Sequence, residues 1–169
     1  FKYRNAGQVC ISPTRFFVQD KAYKTFVDGF AERAQAIKVG NGMDDGVQMG
    51  PLIDERRLPV MEDFVADARN HGAKVVTGGE RIGNQGYFYA PTVLSDVPDE
   101  AKIMNDEPFG PLAPMTQFNT FDEVVERANS LPFGLASYVF TSDGGKATKI
   151  SQALDTGLVG VNHPMVATP

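Results

Sequence analysis

The chain has 169 residues, 42% hydrophobic and 22% charged, with a formal charge of −5 and one cysteine, Cys10. This is the composition of one folded domain with its own core rather than of a disordered segment, and a single cysteine excludes an intrachain disulfide or a multi-cysteine metal site. The acidic balance argues against a nucleic-acid partner, no apolar run reaches the ~18 residues of a membrane span, and no charged leader with an apolar stretch opens the chain, so neither a membrane anchor nor a signal peptide is expected.

The hydrophobic period alternates between that of strands and that of helices. Residues 15–19 predict a short buried strand. Residues 21–38 predict a helix with Tyr23, Phe26, Val27, Phe30, Ala34 and Ile37 on one stripe, Asp20 as its N-cap and Gly40 where the chain turns out. A glycine- and aspartate-rich loop follows over 41–51. Residues 54–71 predict a second helix with Val60, Met61, Phe64, Val65 and Ala68 buried; Pro59 belongs near its first turns or at a kink, and Gly72 ends it.

A strand is expected over 73–77, a turn region over 78–86, and extended chain over 87–94 with Pro91 marking an edge or a break. Residues 112–118 predict another strand. Thr120 and Glu123 form a capping box before a helix carrying Phe121, Val124, Val125 and Ala128. A strand over 136–140, a helix capped by Ser142 or Asp143 and running to about Leu154, and a strand over 157–162 complete the pattern. Strands alternating with helices imply parallel strands joined by crossovers, an α/β layered domain. The chain starts at Phe1 without a methionine and stops at Pro169 without a closing element, so it is expected to be a piece of a longer protein.

The most informative segment is Asn5-Ala6-Gly7-Gln8-Val9-Cys10. Gly7 allows positive φ or close approach of another surface. A lone cysteine here is either a nucleophile with a stabilised thiolate, for which a helix N-terminus is one device, or a small buried apolar residue, as most free cysteines are.

This segment and the Ser12-Pro13-Thr14-Arg15 that follows resemble the nucleophile signature of the aldehyde dehydrogenase superfamily. Asn105-Asp106-Glu107-Pro108-Phe109-Gly110-Pro111 resembles that family's glutamate–phenylalanine–glycine–proline element, and Met49-Gly50-Pro51-Leu52-Ile53 its glycine–proline loop. Pro132-Phe133-Gly134-Leu135-Ala136 and Gly157-Leu158-Val159-Gly160-Val161-Asn162 match in type and order. The resemblance covers essentially the whole chain.

The resemblance implies a catalytic domain over 1–169, α/β and three-layered, with a mostly parallel sheet and helices on both faces. It also implies a Rossmann-like cofactor domain and an oligomerisation tail that this chain lacks. Cys10 matches the nucleophile, which adds to an aldehyde carbon and passes through a thiohemiacetal and a thioester. Glu107 matches the carboxylate that binds the ribose on the nicotinamide side, and Phe109 a side chain that packs near the ring. Without the flanking pattern these two are a surface acid and a core aromatic. Arg4 could pair a substrate carboxylate, as in enzymes for semialdehydes of dicarboxylic acids, or form a salt bridge to the rest of the protein. His163 would border the substrate entrance or be a loop histidine. His71 is expected as a helix C-terminal cap, the Asp44-Asp45 pair as part of a loop, and Asp54-Glu55-Arg56-Arg57 as a solvated helix start.

The implied cofactor is NAD or NADP, held mostly by the missing domain, and no metal is expected. The implied substrate is a small aldehyde, the intact protein a cytoplasmic homo-oligomer. No glycine-rich strand-to-helix turn is present, and the family's general-base glutamate, oxyanion asparagine and cofactor-binding lysine lie upstream of this segment, so the isolated chain is expected to be inactive. The alternatives are transfer of the acyl group to coenzyme A, a cysteine hydrolase using Cys10 with His71 or His163, and a non-enzymatic interaction module.

Overall fold

Phe16–Gln19 forms β1 and runs directly into α1, Asp20–Gln35. Asp20 is the first helical residue rather than the cap; Gln19 holds the cap position without a side-chain bond, and the helix ends three residues before Lys38. Val27, Ala31 and Ala34 form its buried face, and the helix packs on β1 and on the strands β2 (Lys74–Thr77) and β3 (Thr92–Ser95). Helix α2, Arg57–Asn70, buries Leu58, Met61, Phe64, Val65 and Ala68. Pro59 is its third residue, where its missing N–H would have had no helical partner.

A one-turn helix, α3 (Lys102–Asn105), precedes β4 (Leu112–Phe118). The sheet order is β1-β4-β3-β2. Strands β3 and β4 are parallel, with Thr92 opposite Leu112 and Leu94 opposite Pro114. Every residue of β3 is buried, so both faces of that strand are covered. Tyr89, Leu94, Ile103, Leu112, Met61 and Met115 are among the largest fully buried side chains. Each such burial contributes ~1.5–3 kcal/mol.

Strands β2 and β3 pair antiparallel, with Lys74 opposite Ser95 and a bulge between Val75 and Thr77. This departs from the expected parallel pairing, and the cause is the connector. No helix separates these strands, so no crossover is available. Instead, Gly78 and Gly79 turn at positive φ, and Arg81 bridges Tyr89 in an antiparallel extension of the hairpin.

The chain divides into two compact units, the first Phe1–Gln117 and the second starting at Phe118; the computed structural model describes residues 1–164. In the second unit, α4 (Phe121–Ala128) carries the capping box, with Thr120 accepting from the Glu123 N–H and Glu123 accepting from the Thr120 N–H. Parallel strands β5 (Ala136–Val139) and β6 (Leu158–Val161) are joined through α5 (Gly144–Ala153), which Asp143 caps by accepting from the Lys146 N–H. The fold is therefore α/β with mostly parallel pairing. Among the described residues no helix is long and apolar enough to cross a membrane.

Candidate active site

The segment that carries Cys10 is held by an unusual turn. Asn5, Ala6 and Gly7 take φ values of 51°, 52° and 71°, three consecutive residues of left-handed backbone. For an L-residue other than glycine this conformation costs roughly 1–2 kcal/mol, and the surroundings hold it. The Asn5 Nδ2 donates to the Gln8 carbonyl and the Gln8 Nε2 to the Asn5 carbonyl, both at 3.0 Å. The Gln8 Oε1 accepts from the Ile53 N–H at 2.9 Å, which ties the segment to the glycine–proline loop. The Tyr3 hydroxyl, buried, donates to the Thr92 carbonyl at 2.9 Å, and the Ser12 hydroxyl to the Lys2 carbonyl at 3.2 Å.

Gly7 lies directly on the backbone of Gly110. A Cβ at position 7 would stand 2.1 Å from the Gly110 carbonyl oxygen, and a Cβ at position 110 would stand 2.1 Å from Met61 Sδ. The structure thus brings the cysteine segment and the segment of Glu107 and Phe109 into contact, with α2 behind them. Cys10 sits in a turn closed by the Ser12 N–H on the Val9 carbonyl at 2.9 Å, and it is exposed, not a buried apolar filler. No helix begins at Cys10.

Glu107 is exposed and Phe109 is 38% exposed. Phe109 takes φ 42°, the left-handed region, and Pro108 between the two acids and ring is buried. The donor set fits part of a nicotinamide dinucleotide site: an exposed carboxylate accepts from two neighbouring ribose hydroxyls, and an exposed ring offers a face to a heteroaromatic. Nothing among the described residues supplies the glycine-rich strand-to-helix turn that takes a pyrophosphate. The described residues hold no metal-binding group of histidine, cysteine and carboxylate side chains. A hollow of about 360 Å³ at the end of α1, lined by Ala34, Ile37, Thr77 and Glu80, contains none of these residues.

Arg4 is exposed six positions before Cys10, and no acid of the described chain pairs with it. His71 caps α2, its Nδ1 2.9 Å from the Asp67 carbonyl. It stands at the far end of α2, about 20 Å along the axis from Arg57, so the structure does not bring it to the cysteine segment. His163 follows β6 in the second unit and is exposed.

Two residues that sequence reasoning missed belong to this region. Lys2 is 4% exposed and its Nζ has no hydrogen-bond partner among the described residues. Burial lowers its amine to about 7, with the Glu107 carboxylate pulling the other way. Arg57, expected as part of a solvated helix start, is half-buried, and its Nη2 donates to the carbonyls of Pro108 and Phe109. A lysine and an arginine carry a default reading of surface residues, so no sequence signal marks either.

The aldehyde dehydrogenase family profile matches residues 1–169. The chain is 43% identical over 166 residues to the 3-sulfolactaldehyde dehydrogenase of Pseudomonas putida, and 40% identical over 166 residues to the NADP(+) succinate-semialdehyde dehydrogenase of Escherichia coli. Each alignment covers 98% of this chain and 34% of the relative. The crystal structure of succinate-semialdehyde dehydrogenase from Burkholderia pseudomallei superposes with a TM-score of 0.97 at 40% identity, covering 99% of this chain and 35% of that one. The chain thus spans about a third of the length of the relatives it matches.

Two outcomes test this geometry. Gly7→Ala combines a strained φ with a clash against backbone and should destabilise the chain by at least ~2 kcal/mol; a urea midpoint equal to wild type would contradict the contact. For Lys2, the folded pKa lies below the unfolded one. Between about 7 and about 10.5 the unfolded chain keeps a proton that the folded chain has released, so stability rises with pH across that window and the penalty is full below it. Lys2→Met should flatten this rise and stabilise the chain near neutral pH, as read from urea midpoints at several pH values.

Proposed function

The chain belongs to the aldehyde dehydrogenase family, and we propose that it is the nucleophile-bearing part of a longer NAD(P)-dependent enzyme that oxidises aldehydes with a distal anionic group, such as semialdehydes of dicarboxylic acids. The observation that carries this reading is the contact of Gly7 with Gly110, which joins the exposed thiol of Cys10 to the segment of Glu107 and Phe109. The two relatives above are named for anionic aldehydes, a sulfonate and a carboxylate. The guanidinium of Arg4, exposed beside the cysteine segment and without an acid partner among the described residues, suits such a group.

In this reading the Cys10 thiolate adds to the carbonyl carbon, the C=O π pair moves to oxygen, and a thiohemiacetal results. The Cys10 backbone amide helps to hold that oxygen, a kind of contact worth about 3 kcal/mol in the transition state. Glu107 accepts hydrogen bonds from the ribose of the dinucleotide, and the Phe109 ring packs beside its nicotinamide. When bound, the dinucleotide supplies a hydride acceptor. Oxidation at the former aldehyde carbon leaves an acyl group on the Cys10 sulfur as a thioester. Water then adds its oxygen to the acyl carbon and its two protons pass to solvent, the sulfur departs as thiolate, and the carboxylate product is released.

In the full-length enzyme, Cys10→Ser should abolish dehydrogenase turnover and the Cys10 acyl adduct seen by mass spectrometry. Arg4→Ala should raise KM for an anionic semialdehyde by about tenfold while leaving a neutral aldehyde of the same length unaffected. Retained turnover in Cys10→Ser would end the reading. The isolated 169 residues should give no appreciable NAD(P)-dependent oxidation, because effective molarity collapses when most of the dinucleotide site is removed; steady turnover by the chain alone would overturn that statement.

A further inference from the structure

Arg57 is the first residue of α2. A cation there faces the positive end of the helix dipole, the unfavourable end, and its neighbour Arg56 is the one that pairs with Asp54. Arg57 instead turns its Nη2 to the carbonyls of Pro108 and, at 3.3 Å, of Phe109.

These bonds fall where, among the described residues, the main chain has no others. The Asp106 N–H bonds the Lys102 carbonyl, and the Pro111 carbonyl accepts from the Thr92 N–H. Between those two anchors, over residues 107–110, the hydrogen bonds to the main chain among the described residues come from Arg57. This stretch includes the left-handed Phe109, which needs outside support to persist. Met61, one turn beyond Arg57 and so on the same helix face, presses its sulfur on Gly110. Helix α2 therefore grips the stretch at two points, one polar and one apolar.

We propose that Arg57 is a positioning residue that fixes the turn at Phe109 and thereby sets how tightly the dinucleotide is held at Glu107. This rests on the dinucleotide reading given above. Glu107 and Phe109 flank Pro108, whose φ is fixed by its ring, so holding the carbonyls of 108 and 109 orients both the carboxylate and the ring. Loss of Arg57 frees the turn to relax toward negative φ, and both groups leave the positions in which they meet the same ligand.

The test uses the full-length enzyme, with dinucleotide affinity read by nicotinamide fluorescence and by KM. Arg57→Ala should weaken binding of the reduced dinucleotide by about tenfold, the scale of hydrogen bonds from a charged donor. The alkylation rate of Cys10 by iodoacetamide, measured without dinucleotide, should stay as in wild type. Arg57→Lys should recover part of the affinity, and Arg56→Ala should match wild type. A residue of merely structural importance would instead lower the melting temperature and disturb affinity and alkylation together. If Arg57→Ala does not fold, Arg57→Lys carries the test, and affinity equal to wild type in that variant overturns the proposal. Glu107→Gln separates the two levels of inference. If it weakens dinucleotide binding while Arg57→Ala does not, the role of Arg57 is refuted and the site stands. If Glu107→Gln also binds as wild type does, the dinucleotide reading fails and takes the role of Arg57 with it.

Discussion

Two main chains meet at Gly7 and Gly110 with no side chain between them, and the candidate site follows from that approach. A methyl group at either position would collide, at 7 with a carbonyl oxygen and at 110 with the sulfur of Met61. A stack of backbone, backbone and thioether leaves little freedom for the segments on either side. Cys10 lies three residues beyond one end of the stack and Glu107 three residues before the other. Their relation is thus set by short stretches of chain whose ends are pinned, which is the kind of preorganisation that catalysis requires. The supporting bonds work in the same direction: Tyr3 ties the cysteine segment to β3, Gln8 ties it to the glycine–proline loop, and Arg57 ties the opposite segment to α2.

The site lies at the amino ends of β3 and β4, since Pro111 immediately precedes β4 and Thr92, which bonds it, opens β3. Open α/β sheets usually place ligands at the carboxyl ends of their strands. Here the first unit offers an exposed thiol, an exposed carboxylate and a half-covered ring on an edge rather than in a closed cavity. Such an arrangement suits a surface that meets another part of a larger protein, in keeping with a chain that spans about a third of its relatives.

Much of this was legible in the residues, and the illegible parts share a cause. Strand β4 and the capping box of α4 could be read directly because a buried run and a Thr-x-x-Glu pair are local signals. Helix α3 was missed because four residues are too few to show a period. The antiparallel pairing of β2 with β3 was missed because alternation of element types does not report that one connector lacks a helix. Gly7 announced a special backbone, but Ala6 gave no sign of its positive φ, since alanine has no side-chain chemistry that marks a turn. Lys2 and Arg57 were hidden by the opposite fault: their charge signals solvent, while their positions are fixed by packing between segments far apart in the chain.

At Asn5, Ala6 and Gly7 the chain takes for three residues the hand that mirror-image amino acids would choose. Glycine is indifferent to that hand; asparagine and alanine are not. A D-alanine at position 6 would therefore rest in a geometry that the natural L-residue tolerates only while its neighbours insist on it. The loop bearing the thiol is in this sense a place where the chirality of the building blocks and the chirality of the path disagree, and semisynthesis with one inverted centre would bring them into accord.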